Sequence, residues 1–131
     1  MKKILWIVLV LSLIAGPALA QDAGKGNPTL VIKTNKGEIE AVLYRDKSPI
    51  TVENFLKYVD DGFYSGTIFH RVIAKFMIQG GGFNRYYAQK PTRPPIKNEA
   101  ANGLKNERGT LAMARTDVVD SATAPVFMNL A

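Results

Sequence analysis

An arginine placed among apolar residues is the feature of this sequence that most needs a chemical explanation. Arg71 lies in Phe69-His70-Arg71-Val72-Ile73, whose β-branched and aromatic residues predict a strand. Alternate side chains of a strand share a face, so Arg71 is expected on the same face as Phe69 and Ile73. A guanidinium is costly to bury without a partner, but at the edge of an apolar groove it provides a fixed fork of donors. The pattern therefore predicts that Arg71 acts on a ligand.

Other kinds of site find little support. His70 is the only histidine, and we interpret it as structural because strand alternation places it opposite Arg71. One histidine without any cysteine cannot form a typical zinc site, and a hydrolytic triad lacks its base. Gly80-Gly81-Gly82 is not followed by the Lys-Ser or Lys-Thr of a phosphate loop. The expected chemistry uses no metal, cofactor or nucleophile.

The surrounding pattern predicts mostly short strands. An opening hairpin is expected from residues 29–34 and 38–44, joined by Asn35-Lys36-Gly37. Further strands are expected at 67–73, at 76–79 with an end at the three glycines, at 110–114 and at 126–130. The polar, proline-containing stretch 83–108 predicts a long functional loop.

One amphipathic helix is expected between the hairpin and the third strand. Ser48-Pro49 is a typical helix start, and Gly62 is a typical stop. The residues expected on its buried stripe are Val52, Phe55, Leu56 and Val59. Such a helix would cover one face or one open end of the sheet.

Several motifs together resemble the cyclophilin family of peptidyl-prolyl isomerases. They are Phe69-His70-Arg71-Val72-Ile73 with Phe76-Met77-Ile78-Gln79-Gly80-Gly81, then Val52-Glu53-Asn54-Phe55, Pro95-Ile96-Lys97-Asn98-Glu99 and Gly109-Thr110-Leu111-Ala112-Met113-Ala114-Arg115. The similarity runs from about Thr29 to the last residue and is greatest to the exported bacterial branch. It implies an antiparallel β-barrel of eight strands, capped by two helices, with the active site in a groove on its outer surface.

The resemblance also implies a role for each site residue. Arg71 would be the catalytic arginine, and Phe76, Met77 and Phe127 would form the apolar walls of a proline pocket. Gln79 would contact the substrate backbone, and Ala114 and Arg115 would line the neighbouring rim. Rotation about an amide costs about 18–20 kcal/mol because resonance stiffens the C–N bond. A guanidinium that donates to the prolyl nitrogen would favour the twisted, single-bonded state.

The sequence departs from the family pattern at three places. Ala74-Lys75 stands where the family usually has Pro-Gly, and Pro125 and Val126 stand where it has a glutamine and an aromatic residue. The family also continues beyond Asn129 with further pocket residues, a second helix and closing strands. We therefore expect residues 29–131 to form a partial domain, with an incomplete barrel. Two alternatives to an active isomerase stay open: a non-catalytic module that binds prolyl peptides, and an inactive fragment of an isomerase.

The first 20 residues have the three parts of a secretory signal peptide. Lys2 and Lys3 precede a short apolar run, and the segment ends in Ala18-Leu19-Ala20, which predicts cleavage before Gln21 and a flexible lead over 21–28. Cleavage lowers the formal charge from +6 to +4, because two lysines leave and no acid does. We expect an exported, periplasmic protein with no membrane anchor and no nucleic-acid partner. Its partners would be proline-containing peptides and unfolded exported proteins.

Overall fold

The computed structural model describes residues 26–131, so the predicted signal peptide, its cleavage position and residues 21–25 of the predicted lead lie outside the described residues. The described part contains six strands, one α-helix and a 3₁₀ helix: β1 (Thr29–Thr34), β2 (Gly37–Val42), α1 (Pro49–Asp60), β3 (Thr67–Ile73), β4 (Met77–Asn84), the 3₁₀ helix Ala100–Asn102, β5 (Leu111–Met113) and β6 (Val126–Asn129). The prediction of a mainly β, antiparallel fold with a helix is confirmed.

The first two strands form the predicted hairpin. β1 and β2 pair antiparallel from Thr29 opposite Val42 to Thr34 opposite Gly37. The Thr34 hydroxyl donates to the Gly37 carbonyl at 2.8 Å and accepts the Lys36 N–H at 3.1 Å. Local hydrogen bonds of this kind fix the turn and, with it, the strand register.

The described end of the predicted flexible lead is attached to the segment between β2 and α1. The Leu43 N–H donates to the Pro28 carbonyl at 2.8 Å, and the Asp46 N–H donates to the Asn27 side-chain oxygen at 3.2 Å. Ordered contacts therefore begin before Thr29.

Helix α1 starts and stops where the sequence predicts, but its buried face is rotated. It begins at Pro49, and Gly62 adopts the left-handed conformation (φ 66°) that ends it. Its buried residues are Val52, Asn54, Phe55 and Tyr58, whereas Val59 is 40% exposed, so the predicted place of Val59 on the buried stripe is wrong. No helix in the described part is long and apolar enough to cross a membrane.

Contacts with the long loop and with the segment that precedes β6 explain this rotation. The Asn54 side-chain amide donates to the Thr123 carbonyl at 2.7 Å, and the Tyr58 hydroxyl accepts the Arg93 N–H at 2.7 Å. The Tyr58 ring also contacts the Phe63 ring, with centroids 4.8 Å apart. These partners cover a polar side of the helix that hydropathy alone places in solvent.

Strands β3 to β6 form one antiparallel sheet in the order β3-β4-β6-β5. The buried core cluster consists of Leu43, Val52, Phe55 and Val126, and it joins α1 to the inner face of this sheet. Within residues 26–131 the β1–β2 hairpin is a separate sheet, and the strands do not close into a continuous barrel.

Strand β4 continues through the three glycines instead of ending at them, so the predicted end of this strand is wrong. An added Cβ at Gly80 would lie 2.8 Å from the Ile68 carbonyl oxygen, and one at Gly81 would lie 2.9 Å from the Tyr64 ring. One at Gly82 would lie 3.0 Å from Cγ of Pro125. The glycines thus allow neighbouring chain segments to approach β4 closely.

Candidate active site

A β-bulge at His70 determines which way Arg71 faces. In the β3–β4 pairing, Phe69 lies opposite Gly80 and Arg71 lies opposite Gln79, so two residues of β3 are matched by one step of β4. Neighbouring residues of β4 face opposite sides, and therefore Phe69 and Arg71 do too. The predicted shared face of Phe69 and Arg71 is wrong because simple alternation ignores this extra residue.

The bulge places Arg71 in a row that crosses the whole sheet. Its successive cross-strand partners are Gln79, Phe127 and Ala112, one from each of the other three strands. The adjacent inner row contains Gly80 and Val126, and Val126 belongs to the core. The row of Arg71 therefore lies on the face turned away from that core.

The two predicted pocket residues at the start of β4 differ sharply in exposure. Phe76 lies in the turn before the strand and is 54% exposed, whereas Met77 is only 3% exposed. Met77 lies opposite Ile73 on one side and Asn129 on the other, two residues before Gln79 on β4 and therefore on the same face as Arg71. Met77 can therefore provide a pocket floor, while Phe76 can provide a wall.

The rim residues follow β5. The Ala114 N–H donates to the Pro125 carbonyl at 2.8 Å, which extends the β5–β6 pairing by one residue. Arg115 is exposed, and its guanidinium donates to the Thr116 carbonyl at 2.8 Å. One broad open concavity of about 1630 Å³ is bordered by all seven predicted site residues: Arg71, Phe76, Met77, Gln79, Ala114, Arg115 and Phe127. The core residues Val52, Phe55 and Val126 border it as well, so it extends beyond the outer face of the sheet.

The guanidinium of Arg71 is available to a ligand. Arg71 is exposed, and it takes part in none of the three ion pairs found among residues 26–131. Its planar fork of donors is therefore open to solvent, with no carboxylate of residues 26–131 paired to it. Among the same residues no three acidic or histidine side chains are grouped so that they could hold a metal ion.

His70, the neighbour of Arg71 in β3, packs against an aromatic ring. Its ring lies against that of Phe83, with centroids 4.6 Å apart, and its Nδ1 is buried without a hydrogen-bond partner among the described residues. Burial, and secondarily the positive charge of Arg71, lowers the pKa of His70. A neutral imidazole packed on an aromatic ring agrees with the structural interpretation of this residue.

The turn between the two strands carries backbone strain. Lys75 has φ 59°, in the left-handed region that a side chain with a Cβ adopts at a cost. The Phe76 N–H donates to the Ile73 carbonyl at 3.1 Å across this turn. Glycine suits such a position, which explains why Pro-Gly is the usual pair in the resembled family.

Sequence reasoning missed two contributors to this surface. Ala112 completes the row of Arg71, yet nothing in its type distinguishes it from an ordinary strand residue. The glycines of β4 admit Phe69 and Tyr64 close to the strand, as the short distances to an added Cβ show. The run of three glycines was the signal in the sequence that could have revealed this contact. It indicates that other segments approach the strand closely, and it does not mark the end of the strand.

Comparison with known proteins agrees with this geometry. Residues 29–131 match the family described as cyclophilin type peptidyl-prolyl cis-trans isomerase/CLD. The chain belongs to this cyclophilin family. A peptidyl-prolyl cis-trans isomerase of Acinetobacter baylyi is 55% identical over 131 residues, which is 100% of this chain and 66% of that protein. Peptidyl-prolyl cis-trans isomerase B of Escherichia coli is 62% identical over 97 residues, which is 74% of this chain and 59% of that protein.

Solved cyclophilins share the fold. A cyclophilin type peptidyl-prolyl cis-trans isomerase of Cryptosporidium parvum, crystallised in the presence of the dipeptide Ala-Pro, matches with a TM-score of 0.67 at 28% identity. The match covers 79% of this cyclophilin and 68% of that chain. A cyclophilin of Hirschia baltica matches with a TM-score of 0.64 at 21% identity, over 79% of this chain and 57% of that one. This cyclophilin spans less than two thirds of the length of the curated relatives named above.

Proposed function

We propose that this cyclophilin catalyses cis–trans isomerisation of X-Pro peptide bonds. The observation that carries the proposal is the row in which Arg71, which forms no ion pair within residues 26–131, lies beside Gln79 and Phe127 on the outer face of the sheet. The relatives named as peptidyl-prolyl isomerases and the cyclophilin crystallised with Ala-Pro support the same substrate class.

The geometry suggests how rotation would be accelerated. The proline ring would rest on Phe127 and the buried Met77, with Phe76 beside it, while Gln79 would hold the adjoining peptide backbone. Arg71 would donate to the prolyl nitrogen, whose lone pair leaves amide resonance as the bond twists. Because that interaction strengthens only in the twisted state, it would raise kcat more than it lowers KM.

Replacement of Arg71 tests the assignment. We expect Arg71→Ala to remove most isomerase activity without unfolding the protein, because Arg71 is exposed and outside the core. Arg71→Lys is expected to be poor as well, since an ammonium lacks the planar fork. A protease-coupled assay of an Ala-Pro-containing peptide measures kcat/KM, and circular dichroism checks the fold. A wild-type value of kcat/KM in Arg71→Ala would reject the mechanism.

A non-catalytic prolyl-peptide binding module is the second candidate, and Pro125 favours it. Pro125 stands where the resembled family has a substrate-contacting glutamine, and its ring lies against the backbone of Gly82. A polar contact to the substrate is therefore missing from this position. Saturable peptide binding by calorimetry, combined with an isomerisation rate equal to the uncatalysed one, would favour the binding module.

We also propose that the protein is exported to the periplasm and acts on unfolded exported proteins. The positively charged start, short apolar run and Ala18-Leu19-Ala20 ending support this proposal. Mass spectrometry of the protein from a periplasmic fraction is expected to find an N-terminus at Gln21. Recovery of the chain with Met1 to Ala20 attached in the membrane fraction would contradict the proposal.

A further inference from the structure

The N-terminus of α1 receives its cap from a distant loop. The side chain of Ser48, the N-cap residue, makes no capping hydrogen bond. Instead the Thr51 N–H, in the first turn, donates to Oε1 of Glu99 at 2.9 Å. A carboxylate at a helix N-terminus gains both a charge-assisted hydrogen bond and the favourable end of the helix dipole. Glu99 thus attaches the loop firmly to α1.

The same loop is attached on its other side to the segment that follows β5. The Asn98 N–H donates to Oδ1 of Asp120 at 2.8 Å, and the Ile96 N–H donates to the Ala122 carbonyl at 3.0 Å. Residues 96–99, here called the brace, therefore connect the start of α1 with residues 115–122. Two adjacent residues of the brace make these contacts: Glu99 binds α1, and Asn98 binds Asp120.

The segment held by the brace is the rim of the candidate groove. Residues 115–121, here called the rim loop, begin with Arg115 and are linked internally by the Thr116 N–H, which donates to Oγ of Ser121 at 2.9 Å. The same Ser121 hydroxyl donates to the Val118 carbonyl at 2.7 Å. Asp120 lies in this loop and joins it to Asn98 of the brace, and the internal bonds extend this attachment to Thr116, next to Arg115.

One oxygen of the Glu99 carboxylate lowers the stability of the protein. Its second oxygen, Oε2, is buried and has no hydrogen-bond partner among residues 26–131. A buried polar atom without a partner is destabilising, and an uncharged capping residue would avoid that cost. A positioning role gives a reason for the strong but incompletely satisfied cap.

We propose that Glu99 is a positioning residue that sets the rim of the prolyl-peptide groove through the brace and Asp120. The inference rests on the proposed isomerase function. Arg71 is held by the pairing of β3 with β4 and does not depend on the brace. Loss of the brace is therefore expected to weaken substrate binding at the rim and to leave the rotation step unchanged.

Kinetics on three single variants and one double variant test this division. Glu99→Ala is expected to raise KM about threefold to tenfold with kcat within about twofold of wild type. Glu99→Gln keeps an acceptor for the Thr51 N–H and is expected to restore KM. Asp120→Ala breaks the other end of the brace and is expected to match Glu99→Ala. The double variant is expected to have a KM no higher than that of the single variant with the higher KM, because both substitutions break the same connection.

Asn102→Ala is the matched control. The Asn102 side-chain amide donates to Oγ of Ser48 at 2.6 Å, so this change also removes a contact at the α1 N-terminus, but outside the path from Glu99 to Asp120. It is expected to lower stability and leave KM unchanged. A rise in KM equal to that of Glu99→Ala would overturn the proposal, as would additive effects in the double variant.

Hydrogen exchange separates failure of this inference from failure of the isomerase proposal. In Glu99→Ala without peptide, the amides of Asn98 and Thr116 are expected to exchange faster, while those of β3 keep their protection. Unchanged exchange at both amides would overturn the role of the brace whether or not the protein isomerises prolyl bonds. If Glu99→Ala does not fold, Asp120→Ala decides the question by the same two readouts.

Discussion

Gly80 is the position at which the geometry of the candidate site is most sensitive to a single methyl group. An added Cβ would lie 2.8 Å from the Ile68 carbonyl oxygen, 2.8 Å from Cδ1 of Phe69 and 3.2 Å from the Phe69 Cα. The Phe69 ring could rotate, but the carbonyl and the Cα are backbone atoms. Gly80→Ala must therefore push β3 away from β4 by several tenths of an ångström, next to the bulge that directs Arg71.

The expected losses of stability and of kcat in Gly80→Ala follow from these contacts. Overpacking of a tightly packed site costs about 1–3 kcal/mol, and here the backbone has to yield, so we expect a loss of about 2 kcal/mol. For a domain near 100 residues that corresponds to a fall in Tm of roughly 10 °C. A displacement of 1 Å at a reacting group can lower a rate 100-fold, so a shift of tenths at Arg71 should lower kcat by about tenfold.

Gly82→Ala is the control for this prediction. There the added Cβ would meet Cγ of Pro125 at 3.0 Å, a side-chain atom in an irregular segment, instead of the backbone of β3. We expect a loss of about 1 kcal/mol and a nearly unchanged kcat. Thermal unfolding by circular dichroism and a protease-coupled assay measure both quantities. Equal losses of Tm and of kcat in Gly80→Ala and Gly82→Ala would refute the argument that backbone contact at the bulge positions Arg71.

Three further predictions concern the neighbourhood of the site. Lys75→Gly removes a strain of about 1–2 kcal/mol from the left-handed backbone at this position, but it adds about 0.5–1 kcal/mol of entropy to the unfolded chain. Urea unfolding should therefore show a free energy of unfolding higher by about 0.5–1 kcal/mol, and a lower one would contradict the strain. Met77→Ala should lower the free energy of unfolding by about 2–5 kcal/mol because Met77 is buried, whereas Phe76→Ala should mainly raise KM because Phe76 is exposed. Similar losses of stability in the two variants would contradict this contrast. Since the pKa of His70 is lowered on folding, the unfolded chain binds the His70 proton more readily than the folded chain does. The free energy of unfolding should therefore be at its full value above about pH 6.5 and fall below it, with a shallower fall in His70→Gln. Equal slopes in the two proteins below about pH 6.5 would contradict the assignment.

Local sequence chemistry determined the elements of this cyclophilin. Strand β3 has the predicted bounds, and α1 begins at Pro49 and stops at Gly62 because proline and glycine constrain the backbone of their own residues. The type and setting of Arg71 were likewise enough to single it out as a candidate site residue. All of these signals arise from neighbours in the sequence, which is why they could be read without a structure.

Tertiary structure decided on which side of the sheet or helix these residues lie. Periodicity places Phe69 and Arg71 together, but the bulge separates them, and the bulge depends on how closely β4 can approach β3 at Gly80. The buried face of α1 depends on Thr123, which lies 69 residues beyond Asn54. The cap of the same helix comes from Glu99, 48 residues beyond Thr51. Contacts between segments so far apart follow from the packing of the whole chain, and no local pattern of residues encodes them.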